Sequence, residues 1–217
     1  MADLARALAG PQTAEAVLRE VTTAAVEVIP GVDTAGILLI KGRGNFESLA
    51  GTDEVPHELD ELQHVLQEGP CMDAALYDDI VRVDDFRQET RWPAYSAAVQ
   101  KLGVLSGLSF RLYTQRRTAG ALNLFGFEPT EWDTERQTIG GVLAAQAVAA
   151  LVSALEGKQL RSAILSRDRI GQAKGIIMER FGIDDVAAFG MLRRLSQESN
   201  TALVDIAQRV IDTRGDG

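Results

Sequence analysis

The sequence predicts an α+β chain, with an N-terminal, mostly antiparallel sheet flanked by helices, a long joining helix, and a C-terminal unit of three helices. Three observations carry this prediction. Val104 to Tyr113 and Ala119 to Phe127 are apolar runs joined by the polar turn Thr114-Gln115-Arg116-Arg117-Thr118, which reads as an antiparallel pair. Helical periodicity brackets that pair, over residues 12 to 29 before it and from Glu131 onward after it. Between residues 160 and 213 the strand pattern is gone, and apolar residues recur at helical spacing in three stretches.

Taken in order, Val17, Leu18, Val21, Ala25, Val28 and Ile29 lie on one face of an amphipathic helix that Pro30-Gly31 stops. Thr34 to Ile40 is a buried strand, and Lys41-Gly42-Arg43-Gly44-Asn45 turns it into a partner, Phe46 to Ala50. Pro56 to Gln67 is helical until Glu68-Gly69-Pro70 breaks it. Ile80 to Val83 is a short strand ended by Asp84-Asp85, and Trp92-Pro93 opens a helix that runs through Leu102.

Beyond the long hairpin, Ile139, Val142, Leu143, Ala147, Ala150, Leu151 and Leu155 predict a helix that continues past Lys158, with Gly157 as its interruption. Its apolar residues occupy more than one face, so it needs a partner beyond its own sheet. A second copy is the simplest one, which predicts a homodimer paired along this helix as a coiled coil. Further on, Ile170, Ala173, Ile177 and Phe181 share one stripe, and Arg167, Gly171, Lys174 and Met178 share the next. The first stripe suits a core; the second suits an anion. Gly182-Ile183-Asp184 ends this helix and caps the next, with Asp184 and Asp185 favourable to its dipole. Asn200 or Thr201 then offers a cap for a last helix carrying Leu203, Ile206, Ala207, Val210 and Ile211.

Composition excludes several classes. The 217 residues are 46% apolar, enough for ordinary cores. No run of about 18 apolar residues is read, and Met1-Ala2-Asp3 lacks the basic start of a secretory signal, so a cytoplasmic protein with no membrane partner is expected. One cysteine, Cys71, rules out an intrachain disulfide and a zinc ribbon. The net charge of −9 argues against a nucleic-acid partner until it is divided. Residues 1 to 156 hold 12 Lys+Arg against 23 Asp+Glu, whereas residues 157 to 217 hold 10 against 8. An excess of two cations makes weak non-specific binding, and leaves selectivity to geometry and base contacts.

The segments Ile170-Gly171-Gln172-Ala173-Lys174-Gly175-Ile176-Ile177-Met178, Ala188-Phe189-Gly190-Met191-Leu192-Arg193 and Val204-Asp205-Ile206-Ala207 agree in order and spacing with an ANTAR domain, which residues 157–217 therefore resemble. That family consists of RNA-binding transcription antiterminators, whose three-helix domain recognises paired hairpins with six-base loops in nascent leader transcripts. The resemblance implies RNA contacts at Arg167, Gly171, Lys174, Met178 and Arg193. Leu66-Gln67-Glu68-Gly69-Pro70-Cys71-Met72-Asp73-Ala74, Arg91-Trp92-Pro93 and Leu122-Asn123-Leu124-Phe125, with the order of elements, make residues 1–156 similar to a GAF domain. GAF domains bind small molecules between sheet and helices or serve as dimerising modules. The resemblance thus requires no cofactor and leaves open an unknown small-molecule ligand.

Other conspicuous residues have plain readings. Cys71 is an inert buried thiol before it is a reactive one, and Met72 after it departs from the Cys-His of bilin-carrying relatives. His57 and His64 share a helix face without a carboxylate set for a metal, and Trp92 is a core or edge anchor. Asp78-Asp79 and Asp84-Asp85 are read as solvated pairs rather than a cation site. Gly171 and Gly175, costly within a helix, imply a close approach by RNA or, for Gly175 above all, by a neighbouring helix. No dinucleotide, phosphate-loop, nucleophile-elbow or zinc-protease motif is present, so no enzyme is expected. Two alternatives remain open: a helix-turn-helix DNA-binding regulator, although Asp205, Gln208, Arg209 and Asp212 are a poor basic face for a major groove, and a small-molecule sensor that docks a protein partner.

Overall fold

The computed structural model describes residues 13–41, 45–76, 78–114 and 117–213, so the tips of both expected hairpin turns, 42–44 and 115–116, lie outside the described residues. Its contacts divide the chain into two units, one ending at Ala154 and one beginning at Leu155.

In the first unit, helix α1 (Ala14–Val28) starts where the Thr13 hydroxyl accepts from the Ala16 N–H, and it buries Leu18, Val21 and Ala25. Strands β1 (Thr34–Lys41) and β2 (Asn45–Leu49) form the first hairpin. Helix α2 (Val55–Leu66), helix α3 (Pro70–Leu76), strand β3 (Ile80–Val83) and helix α4 (Pro93–Val99) lead to the long hairpin β4 (Ser106–Thr114) and β5 (Arg117–Gly126). All pairings are antiparallel, and the order β2-β1-β5-β4-β3 places β5 at the centre, between β1 and β4.

Side-chain alternation along these strands makes the sheet two-faced. Ile37, Leu108, Phe110, Leu122 and Leu124 pack beneath α1 and the first turns of helix α5 (Thr134–Phe181) in one core. Leu59, Trp92, Tyr95, Val99 and Phe125 join the edge strand β3 in another, on the side of α2 and α4. Trp92 is the core anchor expected of it, and its indole N–H donates to Asp73 at 3.1 Å.

Helix α3 departs from expectation. The sequence reads Pro70 only as a helix breaker, but as the first residue of α3 it occupies a position whose N–H has no helical partner to lose. The preceding Gly69 has φ +138°, and a Cβ there would stand 2.3 Å from the Gln63 amide oxygen, so this turn requires glycine. The Glu68 carboxylate, one residue earlier, accepts from the Ala94 and Tyr95 N–H groups at the start of α4.

Helix α5 runs 48 residues and passes through Gly157 without interruption. Contrary to the expected lack of such a run, it is long and apolar enough to cross a membrane by length and composition. The uncharged span between Arg136 and Glu156 accounts for this. Within that span Leu143, Ala144 and Ala147 are part of the sheet core.

The second unit contains the end of α5, helix α6 (Asp185–Ser199) and helix α7 (Leu203–Asp212). Gly182, at φ +63°, ends α5, and Asp184 caps α6 by accepting from the Ala187 N–H at 2.8 Å, as the sequence predicts. Asn200 is a correction. It has φ +48° and closes α6 as its C-cap, a conformation asparagine tolerates, whereas the N-cap of α7 is Ala202, which has no polar side chain to cap with.

Candidate nucleic-acid interface

Three small residues build the scaffold of the second unit. Ala173 on α5, Ala188 on α6 and Ala207 on α7 are fully buried and let the helices approach closely around Ile177, Leu192 and Ile206. Ile170 packs at the margin of this cluster, and Phe181 departs from its expected core stripe with 57% of its surface exposed, in the last turn of α5.

A groove opens beside this core, lined by Ser166, Arg167, Asp168, Gly171, Gln172 and Lys174 of α5, with Phe189 of α6 opposite. Three of the five residues singled out for RNA, Arg167, Gly171 and Lys174, meet there. The Lys174 ammonium is paired with Asp185 and stands 6.0 Å from the centre of the Phe189 ring. Sequence reasoning assigns Asp185 to the helix dipole alone and leaves Phe189 without a role. Arg193 is exposed one helical turn beyond Phe189 and is not among the groove residues. Met178 is partly buried against the helical core, so its side chain is shared between core and surface. Arg167 and Arg193 make no ion pair among the described residues.

The two helical glycines are not filled by neighbouring helices. Among the described residues, a Cβ built on Gly171 or on Gly175 meets no atom of another element within 4 Å, which corrects the expectation of helix packing at Gly175. Gly171→Ala is therefore expected to raise stability by about 1 kcal/mol, as for an unobstructed helix position. Thermal unfolding checks this, and a loss of RNA binding in the stabilised variant would identify Gly171 as a point of close approach.

The first unit holds a second arrangement of interest, a polar cluster buried between the sheet and helices α2 and α3. Gln63 clasps Cys71, its amide donating to the sulfur and accepting from the Cys71 N–H, both at 2.9 Å. Ser109 and Asn123, cross-strand partners on β4 and β5, face that sulfur, and Asp60 and Tyr95 are within electrostatic reach. Burial pushes the Cys71 thiol and the Tyr95 phenol well up, and raises the Asp60 carboxyl to about 7. Among the described residues, neither oxygen of Asp60 nor either polar atom of the Asn123 amide has a hydrogen-bond partner. Cys71 is thus a buried, protonated thiol, consistent with an inert role.

Several of the other acids, and both histidines, have protein partners among the described residues. Asp85 is held at about 2 by hydrogen bonds from Arg87, Asp79 pairs with Arg111, and Asp84 accepts from the Trp132 N–H. His57 pairs with Glu61, and His64 meets the edge of Phe46. No group of three or more His, Cys, Asp and Glu able to hold a metal occurs among the described residues.

Comparison with protein families matches a GAF domain to residues 11–152 and an ANTAR domain to residues 158–211. No curated protein matches the chain. Among solved structures, a domain of a putative two-component sensor histidine kinase from Sinorhizobium meliloti is similar, with TM-score 0.57 and 14% identity over 70% of this chain and 99% of that one. The GAF domain of Acinetobacter phosphoenolpyruvate-protein phosphotransferase gives 0.53 and 15%, covering 72% and 93%. A type II free methionine-R-sulfoxide reductase from Thermoplasma acidophilum gives 0.50 and 17%, covering 63% and 91%. These likenesses establish the fold of the first unit. Because an enzyme shares it, the fold alone does not separate catalysis from sensing.

Proposed function

This chain belongs to the GAF domain family and carries an ANTAR domain, an RNA-binding module of antitermination regulators, after it; from that premise we propose a signal-responsive, non-enzymatic transcription antiterminator of the cytoplasm. As a dimer it holds two hairpins with six-base loops in nascent leader RNA, so that a competing terminator does not form. The observation that carries this reading is the groove on α5, where Arg167, Gly171 and Lys174 converge within the ANTAR match.

Dimerisation has its own support. Val142, Leu155, Leu160, Ile164 and Leu165 along α5 each leave more than half of their surface exposed, a costly display for a helix without a partner. Two weak grips on one transcript then act as one firm grip through effective concentration. The buried polar cluster around Asp60 and Asn123 supports a small polar ligand as the signal, with no metal or prosthetic group required. Against DNA reading, the exposed polar side chains of α7 include Gln208 and Asp212 bonded to each other at 2.8 Å, a poor set for a major groove.

The test is a titration of the full chain at fixed salt against a two-hairpin RNA, a one-hairpin RNA and duplex DNA. Preference for the paired hairpins is expected, and Lys174→Ala should weaken it roughly tenfold while lowering the salt slope by about 1. Equal binding to all three would remove the hairpin reading, and RNA-independent capture of a protein would favour the docking alternative.

A further inference from the structure

Charge alone does not explain how the groove would hold RNA. Arg167 and Lys174 face it, but Asp168 lines it too, and Lys174 is already paired with Asp185. Two cations against two anions leave little Coulombic attraction for a phosphate, so most of the grip must come from another interaction.

Phe189 offers that interaction. On α6 its neighbours Ala188 and Leu192 are fully buried, whereas Phe189 keeps 40% of its surface open at the groove. A large ring left in water forgoes the stabilisation that burial would give it. Around it are an ammonium at 6.0 Å, the open backbone of Gly171, and the Gln172 amide, which has both a donor and an acceptor. A flat apolar ring with a cation over it, and an amide lining the same groove, together match an unpaired nucleobase and its phosphate. Bases stacked inside a duplex cannot present such a face, but bases in a loop can.

We propose that Phe189 is the platform on which one unpaired loop base stacks, flanked by Lys174 on the phosphate side, so that stacking rather than charge selects loops over duplexes. The proposal rests on the RNA reading above and adds the residue that discriminates.

The test uses the full chain and the two-hairpin RNA with an abasic site placed at each loop position in turn. Phe189→Leu is expected to bind the intact RNA about 10- to 100-fold more weakly, and Phe189→Tyr to bind it like the wild type. At one loop position the abasic RNA should bind wild type and Phe189→Leu equally, because the stacked base is already gone. A 2-aminopurine at that position reports stacking on the wild-type protein, which a folding defect in a variant cannot imitate. Wild-type affinity in Phe189→Leu, or the same loss at every abasic position, overturns the stacking proposal while the RNA reading stands. Failure of the wild-type chain to bind any RNA overturns both.

Discussion

Asp60→Asn is expected to be more stable than the wild type by about 4 kcal/mol at pH 8, and close to it at pH 4. Asp60 is 6% exposed on α2, and burial raises its carboxyl to about 7, although the Ser48 hydroxyl and the His57 charge pull the other way. Among the described residues its oxygens have no hydrogen-bond partner, so burial is the dominant influence. In the unfolded chain an aspartate titrates near 3.9. Between those values the native state keeps a proton that the unfolded state has released. The associated stability is therefore complete below about pH 4 and is lost as pH rises through about 7. An amide has nearly the volume of the neutral acid and does not ionise. Urea unfolding of both proteins at pH 4, 6 and 8 measures the difference. Parallel pH profiles would show that Asp60 is ionised in the folded protein, with water or another group satisfying it.

Trp132→Ala should cost about 3 to 5 kcal/mol. Trp132 is the largest fully buried side chain, set just before α5 in the core shared by the sheet, α1 and α5. Its indole N–H donates to the Val83 carbonyl at 3.0 Å, its backbone N–H to Asp84, and its carbonyl accepts from the Gln137 amide. The short edge strand β3 and the start of α5 are thus tied through one residue. Trp132→Phe keeps most of the ring and loses the indole hydrogen bond, so about 1 to 3 kcal/mol is expected. Chemical denaturation checks both, and a cost below about 1 kcal/mol for the alanine variant would mean that the core collapses onto the space.

The elements readable from sequence are those whose physics is local. The hairpin β4–β5, the helix at residues 14–28 and the Asp184 cap follow from alternation, periodicity and a side chain next to its own amide. Helix α3 is hidden because proline signals a break and a first helical turn equally. Asn200 is ambiguous for a like reason, since asparagine serves at either helix end. At the candidate interface, one face of α5 can be derived from spacing, which is why Arg167, Gly171 and Lys174 converge as expected. The pairing of Lys174 with Asp185 and the open ring of Phe189 arise across a turn between two helices, where no single period reports them. Asp60, Cys71, Ser109 and Asn123 come from four elements, and nothing in the sequence draws them together.

The strand order also sets a timetable. The central strand β5 pairs its Phe125 with Thr34 of β1, so the first hairpin cannot join the rest of the sheet until about 90 further residues have been made. Closing so long a loop precedes any reward from the contacts it permits, which puts such a sheet among the slower folders. In the second unit Ala173, Ala188 and Ala207 meet from within about 35 residues of chain, and helices joined by short turns assemble quickly. On a ribosome the sheet therefore has the head start it needs, because its last strand precedes the C-terminal helices in synthesis. Moving the helical unit to the N-terminus would remove that head start, and the refolding yield of the rearranged chain, rather than its final stability, is where the change would register.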